Sequence, residues 1–210
     1  LTTQMKSVGE VMAIGRNFQE SFQKALRGLE IDIDGLSSLE FKKIPDKEID
    51  DYIKKELKSP THERILIIGE AFRRKYSTSE VFELTNIDLW FLSQIEDLVH
   101  EEINLSNKDI NMLNSDEILR LKRKGFSDSF MSKLLNCEEN KVRNLRKKLK
   151  IKPSFKRVDA CAAEFQATTA YMYSTYDGEC ESNPTQNKKI IILGGGPNRI
   201  GQGIEFDYCC

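Results

Sequence analysis

Two histidines and one tryptophan are all that 210 residues supply of those two types, and the five cysteines never adopt a C-x-x-C spacing. Scarcity of histidine argues against a His-rich metal centre or a His-dependent catalytic triad. Cys137, Cys161, Cys180, Cys209 and Cys210 are odd in number and support neither a disulfide framework nor a zinc site. They read as reduced thiols of a cytoplasmic protein. No apolar run approaches the roughly 18 residues that span a bilayer, so no membrane partner is expected. The opening Leu1-Thr2-Thr3-Gln4-Met5-Lys6 lacks an initiator methionine and the charged-then-apolar plan of a signal peptide. An internal piece of a longer chain is the expectation.

What is present is ordinary for a soluble, helix-leaning protein: 39% hydrophobic and 31% charged residues. The length allows one or two domains. The net charge of −1 hides an asymmetry, because residues 119–152 carry twelve Lys/Arg against three Asp/Glu. A basic run of that kind suits nucleic acid or an acidic partner.

Residues 7–16 have glycines punctuating an apolar segment, in the manner of strand and turn. Asn17 and Glu20 then have capping-box spacing, and Phe18, Phe22, Ala25, Leu26 and Leu29 recur at helical intervals. Gly28 and Asp32-Ile33-Asp34-Gly35 mark a boundary. From 45 to 150 the pattern predicts a succession of short helices. Ile49, Ile53 and Leu57 form one stripe. Thr61 is placed to cap the next, with Ile65, Ile68, Phe72 and Tyr76. Ser77 and Glu80 form a capping box, and the longest face runs through Ile87, Trp90, Phe91, Ile95, Leu98 and Glu102. Trp90, Phe91 and Ile95 read as core. Further helices are expected from Ser115 to Lys124, from Asp128 to Leu135 and from Glu138 to Leu149. After Pro153 the segments around Phe155–Phe165 and Tyr171–Thr175 are aromatic and β-leaning, as extended chain draped over a neighbour. A polar linker from Ser182 to Asn187 leads into the β-branched run Lys189–Leu193 and a glycine loop.

A strand, a glycine loop and a new helix open nucleotide-binding α/β domains, since glycine lets backbone approach an anion. The full G-x-G-x-x-G pattern fails here, because Arg199 occupies the place of its third glycine. One strand and part of a helix cannot bury their apolar faces, so further sheet is expected beyond this sequence.

Read whole, GGGPNRIGQGIEFDYCC (Gly194–Cys210) resembles the opening of the second synthetase half of the carbamoyl-phosphate synthase large chain. TQMKSVGEVMAIGR (Thr3–Arg16) is similar to the close of the first ATP-grasp half. LTNIDLWFL (Leu84–Leu92), KRKGFSD (Lys122–Asp128), KRVDACAAEF (Lys156–Phe165) and AYMYSTY (Ala170–Tyr176) resemble the same family, in its order. Between Asp32 and Lys58 little of the family pattern is evident. The resemblance implies a mainly α fold. Residues 1–31 would be the tail of the carboxyphosphate-forming half, 32–181 a helical oligomerisation domain, and 182–210 the start of the Rossmann-like pre-ATP-grasp part of the carbamoyl-phosphate-forming half. It implies an ATP-dependent ligase, glutamine-hydrolysing, serving arginine and pyrimidine biosynthesis. Its cofactors are ATP and Mg or Mn; its partners are a glutaminase small subunit and copies of itself.

Nucleotide and metal ligands of that family fall outside these motifs, so no catalytic, cofactor or metal residue is assigned and the segment alone is expected to be inactive. Glu10, between Gly9 and Val11, is a tempting metal ligand but reads better as a partly buried structural carboxylate. The family passes labile intermediates through the protein interior. Gly203 and Glu205 are the candidates to border that passage, against the plainer reading of Gly203 as a helix-packing glycine.

The rival reading is a helix-turn-helix DNA-binding domain built from 126–146, with a basic second helix. Against it, Glu138 and Glu139 stand where a recognition helix meets phosphates. Nucleic acid is therefore not expected as a partner. The basic run reads as a solvated face or a contact with acidic parts of the assembly.

Overall fold

The computed structural model describes residues 9–39, 41, 44–194 and the backbone of 198–199. A two-residue strand, β1 (Gly9–Glu10), precedes eight helices among the described residues. These are α1 (Phe18–Gly28), α2 (Ile49–Lys58), α3 (Arg64–Arg73), α4 (Thr78–Thr85), α5 (Leu89–Ser106), α6 (Ser115–Arg123), α7 (Asp128–Leu134) and α8 (Glu139–Lys148). Then come β2 (Ser154–Arg157), β3 (Met172–Thr175) and β4 (Asn198–Arg199). β2 and β3 form an antiparallel hairpin in which Ser154 faces Thr175 and Arg157 faces Met172. β1 pairs antiparallel with β4, Gly9 opposite Arg199.

Local chemistry sets most helix starts. The Asn17 side chain accepts from the Glu20 N–H, and the Glu20 carboxylate reaches back to the Arg16 N–H at 2.7 Å. Ser77 with Glu80, and Asn114 with Glu117, form complete capping boxes on α4 and α6. Asp88 and Ser127 cap α5 and α7. Thr61 does not cap α3. Its backbone carbonyl accepts from Arg64 while Glu63 takes the cap position without a side-chain bond. α6 stops at Gly125, whose φ of +88° is left-handed and whose absent Cβ would stand 3.0 Å from Glu20 Cα.

The apolar stripes converge on one core. Ile49, Ile53 and Leu57 of α2, Ile67 and Ile68 of α3, Val81 of α4 and Leu92, Ile95, Leu98 and Val99 of α5 are all buried. Ile118, Leu121, Phe126, Met131 and Val142 extend that core under α6, α7 and α8. The loop after α1 is pinned to it. Leu36 is buried, its N–H donates to Gln23 Oε1 at 3.0 Å, and its carbonyl accepts from Arg73. Arg73 also grips Glu102 with two nitrogens, at 2.9 and 2.6 Å, and Glu70 at 2.6 Å. A planar guanidinium held on three sides fixes α3 against α5 and the loop together.

Two expectations change here. Trp90 and Phe91 are 53% and 44% exposed, so the stripe facing the core from α5 is Leu92, Ile95, Leu98 and Val99. Positions 90 and 91 lie in the first turn, where α5 projects beyond its neighbours and meets α1 at Phe18. The run Lys189–Leu193 forms no strand, and Ile190 to Leu193 lie exposed. A β-branched run needs a sheet to join, and neither two-stranded sheet of the described residues takes it up.

Candidate functional site

Three features could carry function: a buried polar junction, an exposed aromatic face and the basic run.

The polar junction lies where α1 meets the α6–α7 turn and β3. It borders a cavity of about 380 Å³ lined by Glu20, Lys24, Arg27, Lys122, Asp128 and Tyr176 among others. Lys122, in the basic run, turns inward and is buried. Its ammonium donates to the Phe126 carbonyl at 2.7 Å and to Asp128 at 2.9 Å. Arg146 of α8 reaches the same Asp128 from the other side at 2.8 Å. Burial alone would raise the Asp128 carboxyl, but the hydrogen bond from Arg146 and the charge of Lys122 outweigh it and hold the acid below its ordinary value. Burial pushes the Lys122 ammonium below its ordinary value despite Asp128. Tyr176 closes the group, its ring 5.0 Å from Lys122 Nζ and 5.7 Å from Arg146 Cζ. Burial also pushes the Tyr176 phenol up.

Every charge lining this cavity is already held by protein. Glu20 takes Arg16 N–H, the Thr175 hydroxyl and Lys24. Arg27 donates to the Gly125 carbonyl. Asp34 pairs with Lys133, and Glu139 with Arg143. The junction joins chain segments, and of its charges Arg27 alone has no ion pair among the described residues.

The aromatic face spans the first turns of α1 and α5. Phe18 stacks on Phe22 at 5.4 Å between ring centroids and meets Trp90 and Phe91 edge-on at 5.5 and 5.3 Å. Phe91 and Trp90 are themselves edge-to-face at 5.0 Å. Exposed aromatic clusters of this kind mark contact surfaces.

The basic run is largely spent within the chain. Besides Lys122 and Arg146, Lys124 pairs with Asp97 at 2.6 Å and Glu101 at 2.8 Å, and Arg120 also pairs with Glu101. Arg123 pairs with Asp177 at 3.2 Å. Among the described residues Lys141, in the first turn of α8, and Lys147, Lys148, Lys150 and Lys152, at its end and just beyond, have no ion pair, and all five lie exposed. The helix-turn-helix reading loses its basis. α7 and α8 do pack together, but Arg146 is consumed by Asp128, and Arg143 is paired with Glu139 at the start of α8. A groove-reading helix needs those cations free for the nucleic acid.

Of the sequence candidates, Gly203 and Glu205 lie outside the described residues. Glu10 lies in β1 and is exposed, not partly buried; among the described residues β1 pairs with β4 alone. Among the described residues no cluster of three or more His, Cys, Asp or Glu could hold a metal ion. The sequence marks Glu20 only as a capping-box partner of Asn17 and gives Lys24 and Thr175 no role. Glu20 and Lys24 have ion-pair spacing on a helix, which ordinarily means an exposed face, and no local signal announces a partner 155 residues away.

The family described as "Carbamoyl-phosphate synthetase large chain, oligomerisation domain" matches residues 10–150. That described as "Carbamoyl phosphate synthase preATP-grasp domain" matches 186–210. The carbamoyl phosphate synthase large chain of Pseudomonas aeruginosa is 58% identical over 211 residues, covering 100% of this chain and 19% of the relative. Those of Vibrio cholerae and Neisseria meningitidis are 60% and 56% identical over 210 residues, again all of this chain and 19% of each relative. The chain thus spans about a fifth of the length of the curated relatives it matches.

Proposed function

We propose, for a chain that belongs to the family of carbamoyl-phosphate synthetase large chains, that its helical region is the self-associating structural domain of a longer ATP-dependent ligase. The observation that carries this is the coincidence of the all-α region, α1 to α8, with the family match over residues 10–150. In this reading α1 belongs with the oligomerisation domain, which the family match begins at residue 10 rather than at the expected 32 and which runs on to 181. The residues before it close the carboxyphosphate-forming ATP-grasp half, and 182–210 begin the carbamoyl-phosphate-forming half. The second family match, at 186–210, supports the last boundary. The exposed run Ile190–Leu193 suits a strand whose sheet lies in that second half.

The longer protein makes carbamoyl phosphate in the cytoplasm from bicarbonate, ATP and ammonia delivered by a glutaminase small subunit, for arginine and pyrimidine synthesis. ATP and its divalent metal bind outside this segment, which contributes structure and no catalysis of its own. Sedimentation of the 210-residue chain over a wide concentration range tests the association. A concentration-dependent oligomer is expected, and a strictly monomeric species at the highest concentration would overturn the reading.

Gly203 and Glu205 border the passage by which an intermediate moves between the two halves. A bulky side chain at the glycine should then block it. Gly203→Phe in the longer protein is expected to abolish glutamine-dependent carbamoyl phosphate formation while each half still turns over ATP. Unchanged product formation with the phenyl group in place would remove the proposal.

A further inference from the structure

α1 faces both of the segments that leave the helical core, and one turn of it touches each. Glu20, 2% exposed, accepts on Oε2 from the Arg16 backbone N–H at 2.7 Å and from the Thr175 hydroxyl at 3.1 Å. Its Oε1 pairs with Lys24 at 2.9 Å. Lys24 then repeats the pattern with donors, giving one to the Ile14 carbonyl at 2.8 Å and one to the Ser174 carbonyl. A single carboxylate–ammonium pair therefore holds residues 14–16 on one side and residues 174–175 of β3 on the other. Packing leaves little slack around it. A Cβ at Gly15 would stand 2.7 Å from the Ser21 nitrogen, so the incoming segment lies flat on the first turn of α1. Thr175 is 1% exposed.

Withdrawing either segment does more than remove its own bond. It exposes the Glu20 carboxylate, now 2% exposed, to water on that side, which weakens the hydrogen bonds left to the other segment. We propose that the Glu20–Lys24 pair is a coupling element, through which release of residues 9–16 and release of the β2–β3 hairpin share one free energy. Coupling of this kind is reciprocal: a disturbance on either side loosens the other by the same factor. The device is distinct from self-association and does not rest on the family reading. Its consequence is that a displacement of the chain entering the helical core reaches the chain leaving it without passing through that core.

Amide hydrogen exchange on the 210-residue chain tests this. Thr175→Val removes one hydroxyl at constant shape, and Thr175 makes no bond to Arg16. It should nonetheless raise exchange at the Arg16 amide about tenfold. Gly15→Ala acts from the opposite side and should raise exchange across Met172–Thr175 by a similar factor. Lys24→Met should raise both together. Amides of α3 and α5 are the internal reference and should stay unchanged. Effects confined to the mutated side would overturn the proposal, and so would loss of protection in α3 and α5, which would make the pair a support of the whole fold. If Gly15→Ala fails to fold, the Arg16 amide in Thr175→Val decides alone.

Discussion

Between Ile49 and Lys148 the chain buries most of its apolar residues against one another, with Trp90, Phe91 and Met112 among the exceptions. Between Ser154 and Leu193 it leaves Phe155, Phe165, Tyr171 and Met172 exposed, and Ile190 is 90% exposed. The two regions have similar local means, since both carry apolar residues in regular order. They differ in whether a second layer is supplied. Helices α2 to α5 each present a stripe to the others, so the layer comes from within about sixty residues. The hairpin supplies two strands and must borrow everything else. It borrows mainly polar contacts: Lys24 to Ser174, Glu20 to Thr175, Arg123 to Asp177, and Lys122 and Arg146 against Tyr176. A region stapled by ions and hydrogen bonds should respond to pH and to single charge changes, where the helical core responds to volume.

The largest effect is expected in the core. Leu98→Ala should cost about 4 kcal/mol in denaturant unfolding, from lost burial plus a cavity that neighbours cannot fill. A cost below about 1 kcal/mol would mean that α5 is not the centre of the packing.

Asp128→Ala comes next, at about 3 kcal/mol, because it strands the buried Lys122 without its counter-charge. The same group contributes to the acid sensitivity. Its folded value lies below the unfolded one, so the stabilisation is fully present above the ordinary value of 3.8 and is lost as pH falls through the depressed folded value. Denaturation midpoints followed into acid should therefore fall less steeply in Asp128→Ala than in the parent chain. Parallel curves would show that the junction is not where acid acts.

Ser77→Ala, which removes one half of the capping box on α4, should cost about 1 kcal/mol. Phe155→Ala on the hairpin should leave the stability of the helical core within about 0.5 kcal/mol of the parent. A larger loss would show that the hairpin shares the core's cooperativity and would erase the contrast between the regions.

Much of the helical region was legible in residue order. The box at Ser77 and Glu80, the stripe of Ile49, Ile53 and Leu57, and the stop at Gly125 all depend on spacings of three or four residues. The fold class and the family resemblance followed from such stretches and from longer strings. The candidate site was less legible. Trp90 and Phe91 continue an apolar pattern without revealing that the first turn of α5 projects outward. Lys122 and Arg146 sit in a run of like charge and read as solvated until Asp128 is brought between them.

What the amino-acid order determined by itself is where most of the helices begin and end and, for α2, which face is turned inward, because those are bonds and contacts made within one or two turns. Which charges are buried was decided only by the tertiary structure. Glu20 and Thr175 are ordinary polar residues until a chain path of 155 positions returns the hairpin to α1, and solvent exclusion at that meeting gives their hydrogen bond its weight.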